Sequence, residues 1–399
     1  MNKTVTASAV SVFVLAGFAF AWKQPMAKLP PPYHTPSATN GAKVIPQPDG
    51  SELRVPKGFR VEEFAAGFQK PRIMLQTPNG EILVTDSVPG GSVFVLTDKD
   101  KDGKADNERR ALISGLDRPY GMAWWRDYLY VAEPMSLKRY KFDREAITVG
   151  KGEEIVSLPG FDKGHWTRSI TFDPKGTKLY LNIGSSSNAS PDQDERHATI
   201  LQCNPDGSDC RIYAAGLRNA TGIGFAPGTN QLWAAVQERD GLGDDLVPDY
   251  FTHIRKGGFY GWPWAYFGPN EDPRNVGQQP ELVKQSLIPD VSLGAHIAVM
   301  DWKFYTGKQF PERYRRGAFL AFRGSSNRSK RIGYSVGFLP FGKSGQPAGP
   351  IEEFLTGWMV SPDKREVWGR PVGVLQANDG SLLVSDDGGN KIWRISYAD

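Results

Sequence analysis

The stretch PVGVLQANDGSLLVSDDGGNKIWRISY, residues 371–397, contains three short segments separated by the turn sequences NDG and DDGG. Each segment largely alternates apolar and polar residues, which is typical of an antiparallel strand. Further copies of the first two strands begin at Pro71, Pro119, Thr167 and Thr221, and a looser one begins near His296. Six copies at intervals of about fifty residues predict an all-β, six-bladed β-propeller rather than a two-sheet sandwich.

The last copy contains three strands, one fewer than a complete blade has. The segment GFRVEEFAAG, residues 58–67, has the pattern of a single strand before the first copy. We therefore predict that this N-terminal strand completes the last blade and closes the ring. Two long insertions, residues 240–295 and 340–370, are expected to form loops on one face. Loops on a rigid scaffold are where functional residues usually lie.

The N-terminus predicts export from the cytoplasm. Lys3, a mostly apolar run over residues 9–20, and the sequence Ala19-Phe20-Ala21 are typical of a signal peptide, residues 1–21, cleaved after Ala21. The alternative is an uncleaved anchor, since residues 5–22 are near the lower limit for spanning a bilayer. The expected location is periplasmic or secreted, with a membrane contact only through an uncleaved signal.

Residues 22–49 are rich in proline and predict a tether with nothing to bury. The propeller domain is then expected over residues 50–399. The formal net charge of the chain is +4, so its composition indicates no basic surface of the kind that binds nucleic acid.

Both cysteines lie in one short stretch, CNPDGSDC, as Cys203 and Cys210. The sequence NPDG is typical of a turn, so the two side chains should face each other across a hairpin and form a disulfide. Such a bond suits an oxidising compartment. Neither a haem-attachment motif nor a zinc motif can be built from these residues.

Polar and basic residues recur where the chain leads into the copies. His165 precedes the third copy, Arg218 and Asn219 precede the fourth, His296 begins the fifth and Arg370 precedes the sixth. In a propeller, the loops that lead into successive blades converge on the central channel. Each residue taken singly is more often structural, but together they predict one polar cavity.

An acidic loop follows the fourth copy, in VQERDGLGDDLVPDYF, residues 236–251. Its carboxylates and glycines suit calcium, because glycine lets backbone carbonyls turn toward an ion. A solvated acidic turn is an equally good interpretation. The aromatic segment KGGFYGWPWAYFGPN comes next and is expected either to pack under this loop or to wall a ligand pocket.

A second acidic loop, TDKDKDGKADNERR, resembles the first half of an EF-hand. The twelfth position, where an EF-hand has its bidentate glutamate, is Arg109, so a true EF-hand is excluded. Two interpretations remain, a solvated turn and a structural calcium site. The residues of that site would be Asp98, Asp100, Asp102, Lys104 and Asp106.

The segments HWTRSITFDPKGTKLYLNIGS, GLRNATGIGF, QERDGLGDDLVPDYF, KGGFYGWPW, GSSNRSKRIGY and GRPVGVLQANDGSLLVSDD occur in this order. Together they resemble the soluble sugar dehydrogenases that use pyrroloquinoline quinone, especially the L-sorbosone dehydrogenase branch. This resemblance implies a six-bladed propeller with the quinone lying flat over the central channel. It also implies oxidation of a sugar, a sorbosone-like sugar-derived aldehyde or an alcohol by hydride transfer to the quinone.

The resemblance also implies roles for individual residues. His165 matches the general base, and the backbone carbonyls of Asp240 and Gly241 match those that hold the quinone's calcium ion. A quinone with three carboxylates needs several fixed cations, for which arginine is well suited. Catalytic roles fall on His165 and Arg218, and cofactor contacts on Asn219, Thr221, Arg239, His296, Lys330 and Arg370.

The chain departs from the glucose-oxidising branch at three positions. Ser185 stands where that branch has an aspartate that partners the histidine. Val372 stands in place of a second cofactor-binding arginine, and Thr221 in place of a glutamine. The orientation of His165 therefore needs another explanation, and glucose is not implied as the substrate.

Two other functions fit the same fold. A calcium-dependent propeller hydrolase, such as a lactonase, would need carboxylates and amides that converge on one ion. A binding propeller without chemistry would take up no quinone. The basic character of the predicted cavity favours an anionic cofactor. Because the sequence has no haem motif, the electrons are expected to leave on a separate carrier.

Overall fold

Six antiparallel sheets form the blades of a propeller, and the first strands of neighbouring blades contact one another around the central channel. The structure is a computed structural model that describes residues 28–106, 109–191 and 194–398. The prediction of an all-β, six-bladed propeller is confirmed. The predicted signal peptide, residues 1–21, lies outside the described residues. Within these described ranges, no helix is both long and apolar enough to cross a membrane.

In chain order, the strands of blades 1 to 3 are Pro71–Gln76, Ile82–Asp86, Pro89–Leu96 and Arg110–Asp117; Met122–Trp125, Tyr128–Glu133, Ser136–Asp143 and Glu153–Ser157; and Ile170–Phe172, Leu179–Ile183, Thr199–Cys203 and Arg211–Ala215. Those of blades 4 to 6 are Asn219–Phe225, Leu232–Gln237, Pro248–His253 and Val291–Ala295; Val299–Phe304, Gly317–Phe322, Ser335–Pro340 and Glu352–Leu355; and Pro371–Gln376, Leu382–Asp386, Lys391–Tyr397 and Phe59–Ala66. The smaller elements are strands Lys43–Val44, Thr148–Val149, Ala265–Tyr266, Asn270–Glu271 and Glu366–Val367, helix Pro280–Gln285 and the 3₁₀ turn Glu312–Tyr314.

The N-terminal strand closes the ring as predicted. Phe59–Ala66 pairs antiparallel with Lys391–Tyr397 and supplies the outer strand of blade 6. The first and last parts of the propeller are thereby joined in one sheet, which leaves no open edge between them.

The second strands of the blades are buried between neighbouring sheets. Ile82–Asp86, Leu179–Ile183 and Leu382–Asp386 are buried at every position. Because both faces of such a strand are covered, its sequence is a nearly continuous apolar run rather than an alternating one. Full burial of one leucine or valine contributes about 1.5–3 kcal/mol, so these cores stabilise the ring.

The insertions are more structured than the predicted loops. Residues 240–295 include the third and fourth strands of blade 4. Between those strands, the chain leaves the face opposite the cavity and runs along blade 3, where Phe259 pairs with Ala215 in a parallel bridge. It reaches the cavity face at Trp262, whose Nε1 donates to Asn188 O at 3.0 Å. Residues 340–370 likewise include Glu352–Leu355, and the chain returns to the cavity face after that strand.

Residues 33–45 form a strap on the cavity face, which differs from the predicted tether. The backbone N–H of Tyr33 donates to Leu242 O at 2.8 Å, and that of Asn40 donates to Ser326 O at 2.7 Å. Further along, the strand Lys43–Val44 pairs in parallel with Glu366–Val367. The proline content hid these partners because they lie on loops distant in sequence. The strap holds three loops of the cavity face together.

Cys203 and Cys210 form a disulfide at the end of the third strand of blade 3, as predicted. We expect native protein to show no thiol that reacts with an alkylating agent before reduction, as measured by mass spectrometry. Reduction should lower the free energy of unfolding by roughly 2–3 kcal/mol, because the bond closes a short loop in the unfolded chain. Free thiols in the native protein would contradict this pairing.

Candidate functional site

The loops that lead into the blades surround one cavity of about 280 Å³ at the end of the central channel. Met300 lines this cavity and belongs to a small apolar cluster with Tyr120 and Val372. The cavity is lined by most of the predicted residues, namely His165, Arg218, Asn219, Thr221, Asp240, His296 and Arg370. Residues from four separate blades therefore meet at one place, as the positions of the copies indicated.

His165 is oriented by the residue that replaces the expected aspartate. Its Nδ1 lies 2.9 Å from Ser185 O and 3.0 Å from Ser185 Oγ. The Ser185 hydroxyl donates to Ser187 O at 2.6 Å. A carbonyl oxygen can only accept, so Nδ1 carries the hydrogen and donates to Ser185 O. Nε2 is then the nitrogen with a lone pair, and the ring forms part of the cavity wall.

Burial lowers the pKa of His165 to about 3, and the positive charge of Arg218 acts in the same direction. The ordinary value is 6.5, so the imidazole is neutral throughout the physiological pH range. A neutral imidazole with a lone pair on Nε2 can accept a proton, which is one requirement for a general base, the other being a pKa near the working pH.

A Ser185→Asp substitution should raise the pKa of His165. The new carboxylate would lie next to Nδ1 and stabilise the protonated ring, whereas in the wild type only a carbonyl and a hydroxyl face that nitrogen. We expect NMR titration of the cofactor-free protein to show protonation of His165 at higher pH than in the wild type. Ser185→Asn is the neutral control and should leave the titration near the wild-type position. Equal curves for the aspartate and asparagine variants would contradict this electrostatic account.

Arg218 is fixed by carbonyl groups on two loops. Its Nε donates to Asn188 O at 3.0 Å, and its Nη1 donates to Glu238 O at 2.7 Å. Its Nη2 donates to Asn188 Oδ1 at 2.9 Å and lies 3.8 Å from Asp240 Oδ2. The guanidinium is thus a rigid cation at the cavity wall, beside His165.

His296 differs from His165 because both of its ring nitrogens have partners. Nδ1 lies 2.8 Å from Asp240 Oδ1, and Nε2 lies 2.9 Å from Gly243 O. Burial alone would lower the pKa of His296, but the bonds to Asp240 and Gly243 outweigh it and raise the pKa. Both ring nitrogens face acceptor oxygens, so His296 forms part of the cavity wall as a fully bonded ring.

The cavity contains two arginines that the sequence analysis missed, Arg72 and Arg323. Both pair with Asp387, whose side chain is completely buried, at 2.6 Å and 3.0 Å. Arg72 is the second residue of the first copy, so it is equivalent to Val372 in the last copy. The family's second arginine is absent at Val372, but blade 1 supplies an arginine at the equivalent position. Comparison of the copies with one another could have found it.

The Arg370 guanidinium is a cation at the cavity wall that is bonded to two backbone carbonyls. Its Nε and Nη2 donate to Arg323 O at 3.3 Å and Gly324 O at 3.2 Å. No ion pair joins Arg370 to a carboxylate in the part of the chain that the structure describes. Burial lowers the pKa of Arg370 to about 10, and the charge of Arg323 acts in the same direction. An anionic ligand would supply the missing counter-charge.

Lys330 and Arg239 do not line the cavity, which corrects two of the predictions. The Lys330 side chain is 71% exposed, with Nζ 3.5 Å from Asp363 Oδ1. Its loop is bonded to the strap, because Asn40 Nδ2 donates to Ser329 O at 2.9 Å. Arg239 is completely buried behind the cavity and pairs with Glu238 and Asp272, each at 3.0 Å. It joins the Asp240 loop to the insertion of blade 4.

The predicted calcium position on the Asp240 and Gly241 carbonyls does not fit the geometry. Asp240 O already accepts hydrogen bonds from Asn188 Nδ2 and from Arg274 Nη1, both at 2.9 Å. A carbonyl oxygen has two lone pairs, and both are used. Gly241 is not among the residues that line the cavity.

The second acidic loop lies on the opposite face, between the third and fourth strands of blade 1. Asp98, Asp100 and Asp102 offer carboxylate oxygens within 4.8 Å of one another, and no other group of this kind occurs among the described residues. Asp106 is turned away, because its Oδ2 accepts from Thr97 Oγ1 at 2.7 Å. A calcium site with Lys104 as a further ligand stays a prediction.

Four buried polar atoms of residues that line the cavity lack a partner within the described chain: Arg72 Nε, Thr167 Oγ1, Asn219 Oδ1 and Glu238 Oε1. Burying such groups unpaired is costly, so their number at one place indicates a polar ligand. Together with Arg218, Arg323 and Arg370 they fit a compact anion that also carries hydrogen-bonding groups. A quinone with several carboxylates has these properties.

Comparisons with known proteins identify the family and the fold. A sequence model of the TrAA12-like family matches residues 53–248 and 277–398. An uncharacterized protein of Borreliella burgdorferi is 32% identical over 361 residues, which is 87% of this chain and 91% of that protein. The aldose sugar dehydrogenase YliI of Escherichia coli is 26% identical over 172 residues, 39% of this chain and 44% of that protein.

Solved structures show the same fold. The calcium structure of a Trichoderma reesei enzyme of carbohydrate-active family AA12 has a TM-score of 0.76 at 20% identity and covers 90% of this chain and 100% of that one. The holo form of the pyranose dehydrogenase PQQ domain of Coprinopsis cinerea has a TM-score of 0.73 at 20% identity, with 88% and 98% covered. The PQQ-bound aldose sugar dehydrogenase of Streptomyces coelicolor has a TM-score of 0.59 at 17% identity, with 86% and 99% covered. The resemblance to the soluble sugar dehydrogenases that use pyrroloquinoline quinone is thereby confirmed, and the chain belongs to the TrAA12-like family.

Proposed function

We propose that this chain is an exported dehydrogenase that oxidises a sugar, a sugar-derived aldehyde of the sorbosone type or an alcohol with pyrroloquinoline quinone. The observation that carries the proposal is one cavity with four arginines and a neutral histidine beside them. The cations suit the carboxylates of the quinone, and the histidine suits proton removal from the substrate. Export rests on the signal-like sequence of residues 1–21.

The cavity residues divide between binding and chemistry. Arg72, Arg323 and Arg370 lie on blades 1, 5 and 6 and would bind the quinone carboxylates. Arg218 and Asn219 lie on blade 4, next to His165, and would contact the quinone near the reacting carbon. Each of the four arginines is held by backbone carbonyls or a buried carboxylate, and Asn219 Nδ2 donates to Gln237 Oε1 at 3.1 Å, so little reorganisation is needed on binding.

His165 would act through Nε2. The proton of a substrate hydroxyl, belonging to an alcohol, a hemiacetal or a hydrated aldehyde, transfers to Nε2 as the hydroxyl oxygen becomes a carbonyl. Bound pyrroloquinoline quinone supplies the acceptor for the hydride that leaves the same carbon. Ser185 O holds the Nδ1–H during this step, which keeps Nε2 directed at the substrate. The positive charge of Arg218 favours return of the proton to solvent, because it disfavours the imidazolium form.

The reducing equivalents would leave on a separate carrier, since the sequence contains no haem-attachment motif. A calcium-dependent hydrolase needs carboxylates that converge on one ion. In the described residues the one such group is Asp98, Asp100 and Asp102, on the face opposite the cavity. A purely binding propeller would not need a neutral base directed into a basic pocket. Both alternatives are therefore weaker than the dehydrogenase.

The test is reconstitution of purified protein with pyrroloquinoline quinone, followed by a dye-reduction screen. We expect about one quinone per chain by spectroscopic titration, and quinone-dependent dye reduction with at least one sugar, sugar aldehyde or alcohol. A screen with lactones and esters in the absence of quinone measures the hydrolase alternative. Failure to bind the quinone, or lactone hydrolysis without it, would overturn the proposal.

A further inference from the structure

The backbone N–H and C=O of Asp240 are both bonded to the side chain of one asparagine. Asn188 Oδ1 accepts from Asp240 N at 2.9 Å, and Asn188 Nδ2 donates to Asp240 O at 2.9 Å. The same Oδ1 accepts from Arg218 Nη2 at 2.9 Å. These two bonds hold the peptide groups on either side of Asp240, and the second fixes the direction of the Asp240 carbonyl, which points to Asn188 rather than into the cavity. The side chain of Asp240, by contrast, lines the cavity.

Arg274 supplies the second donor to this carbonyl and is itself tightly held. Its Nη1 donates to Asp240 O at 2.9 Å. Its Nε and Nη2 form a bidentate pair with Asp272 at 2.8 Å and 2.7 Å, and the Asp272 side chain is completely buried. A Cβ placed on Gly241 would lie 3.5 Å from Nη1, so the guanidinium packs directly against the turn.

A cation is therefore already present where a calcium ion would bind Asp240 O. Calcium binds oxygen ligands at about 2.3–2.6 Å and takes six or more of them. An ion at that distance from Asp240 O would stand close to a guanidinium that shares the same oxygen, and the two charges repel. The carboxylate offers no substitute, because Asp240 Oδ1 is bonded to His296 at 2.8 Å and Oδ2 faces Arg218.

We propose that Arg274 occupies the cation position of the Asp240 loop, so that the quinone binds this chain without calcium. The inference rests on the proposed function. It sets the chain apart from a relative such as the Trichoderma reesei enzyme, whose structure is described as a calcium structure. The positive charge next to the quinone then comes from side chains, chiefly Arg218 and the arginines of blades 1, 5 and 6.

The test measures quinone affinity rather than turnover. Metal-free protein is titrated with pyrroloquinoline quinone in EGTA and in excess calcium, and binding is followed by tryptophan fluorescence. We expect dissociation constants equal within about twofold. Tightening by calcium of more than about tenfold overturns the inference and leaves the proposed function standing. No binding under either condition overturns the proposed function itself. Calcium bound at the distant Asp98 loop does not enter this readout.

The Arg274→Met variant tests whether Arg274 itself makes quinone binding independent of calcium. It removes the guanidinium and frees one lone pair of Asp240 O while keeping an apolar stem. We expect this variant to gain a calcium response, with quinone binding tightened by about fivefold or more. The control Arg211→Met, at a side chain 78% exposed on blade 3, should behave as the wild type. A folded Arg274→Met protein without a calcium response would overturn the role of Arg274. If the variant does not fold, the wild-type titration still decides the inference.

Discussion

His165→Ala should lower turnover by about two to four powers of ten, the usual contribution of a positioned acid–base group. The reason is the single lone pair on Nε2, which the bond from Nδ1–H to Ser185 O directs away from the loop. Quinone binding should change little, because the arginines of the cavity carry the charges that bind its carboxylates. Stopped-flow measurement of quinone reduction by substrate, with the quinone affinity measured separately, checks both expectations.

The matched control is His34→Ala, because His34 is an exposed histidine on the strap. It should retain wild-type turnover and wild-type quinone affinity. If His165 acts only in the chemical step, kcat and kcat/KM fall together in His165→Ala. A variant that binds quinone normally and still turns over at the wild-type rate would show that His165 is structural and that another group accepts the proton.

Local pattern was sufficient to predict the propeller. Strand alternation and turn sequences at a fixed interval gave six blades, and the three-stranded last copy required a fourth strand from elsewhere. Phe59–Ala66 supplies it. The convergence of His165, Arg218, His296 and Arg370 followed from the same repeat, because equivalent positions of a ring face one channel. These are properties of the repeat and need no knowledge of side-chain contacts.

The sequence could not show which cations reach the cavity. Lys330 and Asn327 are three residues apart, yet only Asn327 lines the cavity, and the loop between them is bonded to the strap through Asn40. That contact joins Asn40 to a loop nearly three hundred positions away, and no local pattern encodes it. The arginine that is missing at Val372 on blade 6 is supplied by Arg72 on blade 1, which is also a non-local effect. An alignment of the first copy with the last would have shown that the two positions are equivalent.

The calcium site that the sequence predicts on the acidic loop of Asp240 and Gly241 shows the same limit of sequence analysis. Asp240 and Gly241 occupy the expected positions in the sequence, but the direction of the Asp240 carbonyl is decided by Asn188 on blade 3 and by Arg274 in the insertion. Neither residue belongs to the motif that suggested calcium. A sequence motif therefore predicts which stretch of backbone lies at a site. The residues packed around that stretch determine which of its atoms are free to bind a ligand.

Arg370→Met should weaken quinone binding by roughly ten- to a hundred-fold, since a hydrogen bond to a charged group contributes about 1.5–3 kcal/mol. Arg370 is the cavity cation without a carboxylate partner among the described residues, so its charge remains available for a ligand, whereas Asp387 already neutralises part of the charge of Arg72 and Arg323. Methionine keeps much of the apolar stem and removes the guanidinium, whose Cζ lies 5.8 Å from the centroid of the Tyr334 ring, so the loss reports the charge rather than a cavity.

Lys330→Met is the matched control for this variant. The pair distinguishes the prediction made from the sequence motif from the prediction made from the structure. Both residues match cationic positions of the quinone-binding family, so the motif alone predicts an equal loss of affinity. The exposed Lys330 side chain and its pairing with Asp363 predict no change instead. Fluorescence titration with pyrroloquinoline quinone measures both dissociation constants.

If Lys330→Met weakens binding as much as Arg370→Met, the lysine turns inward when the quinone binds, and the cavity wall described here is incomplete on that side. If neither variant changes the affinity, the quinone binds elsewhere, because the unpaired charge of Arg370 is the strongest reason to place a carboxylate in this cavity.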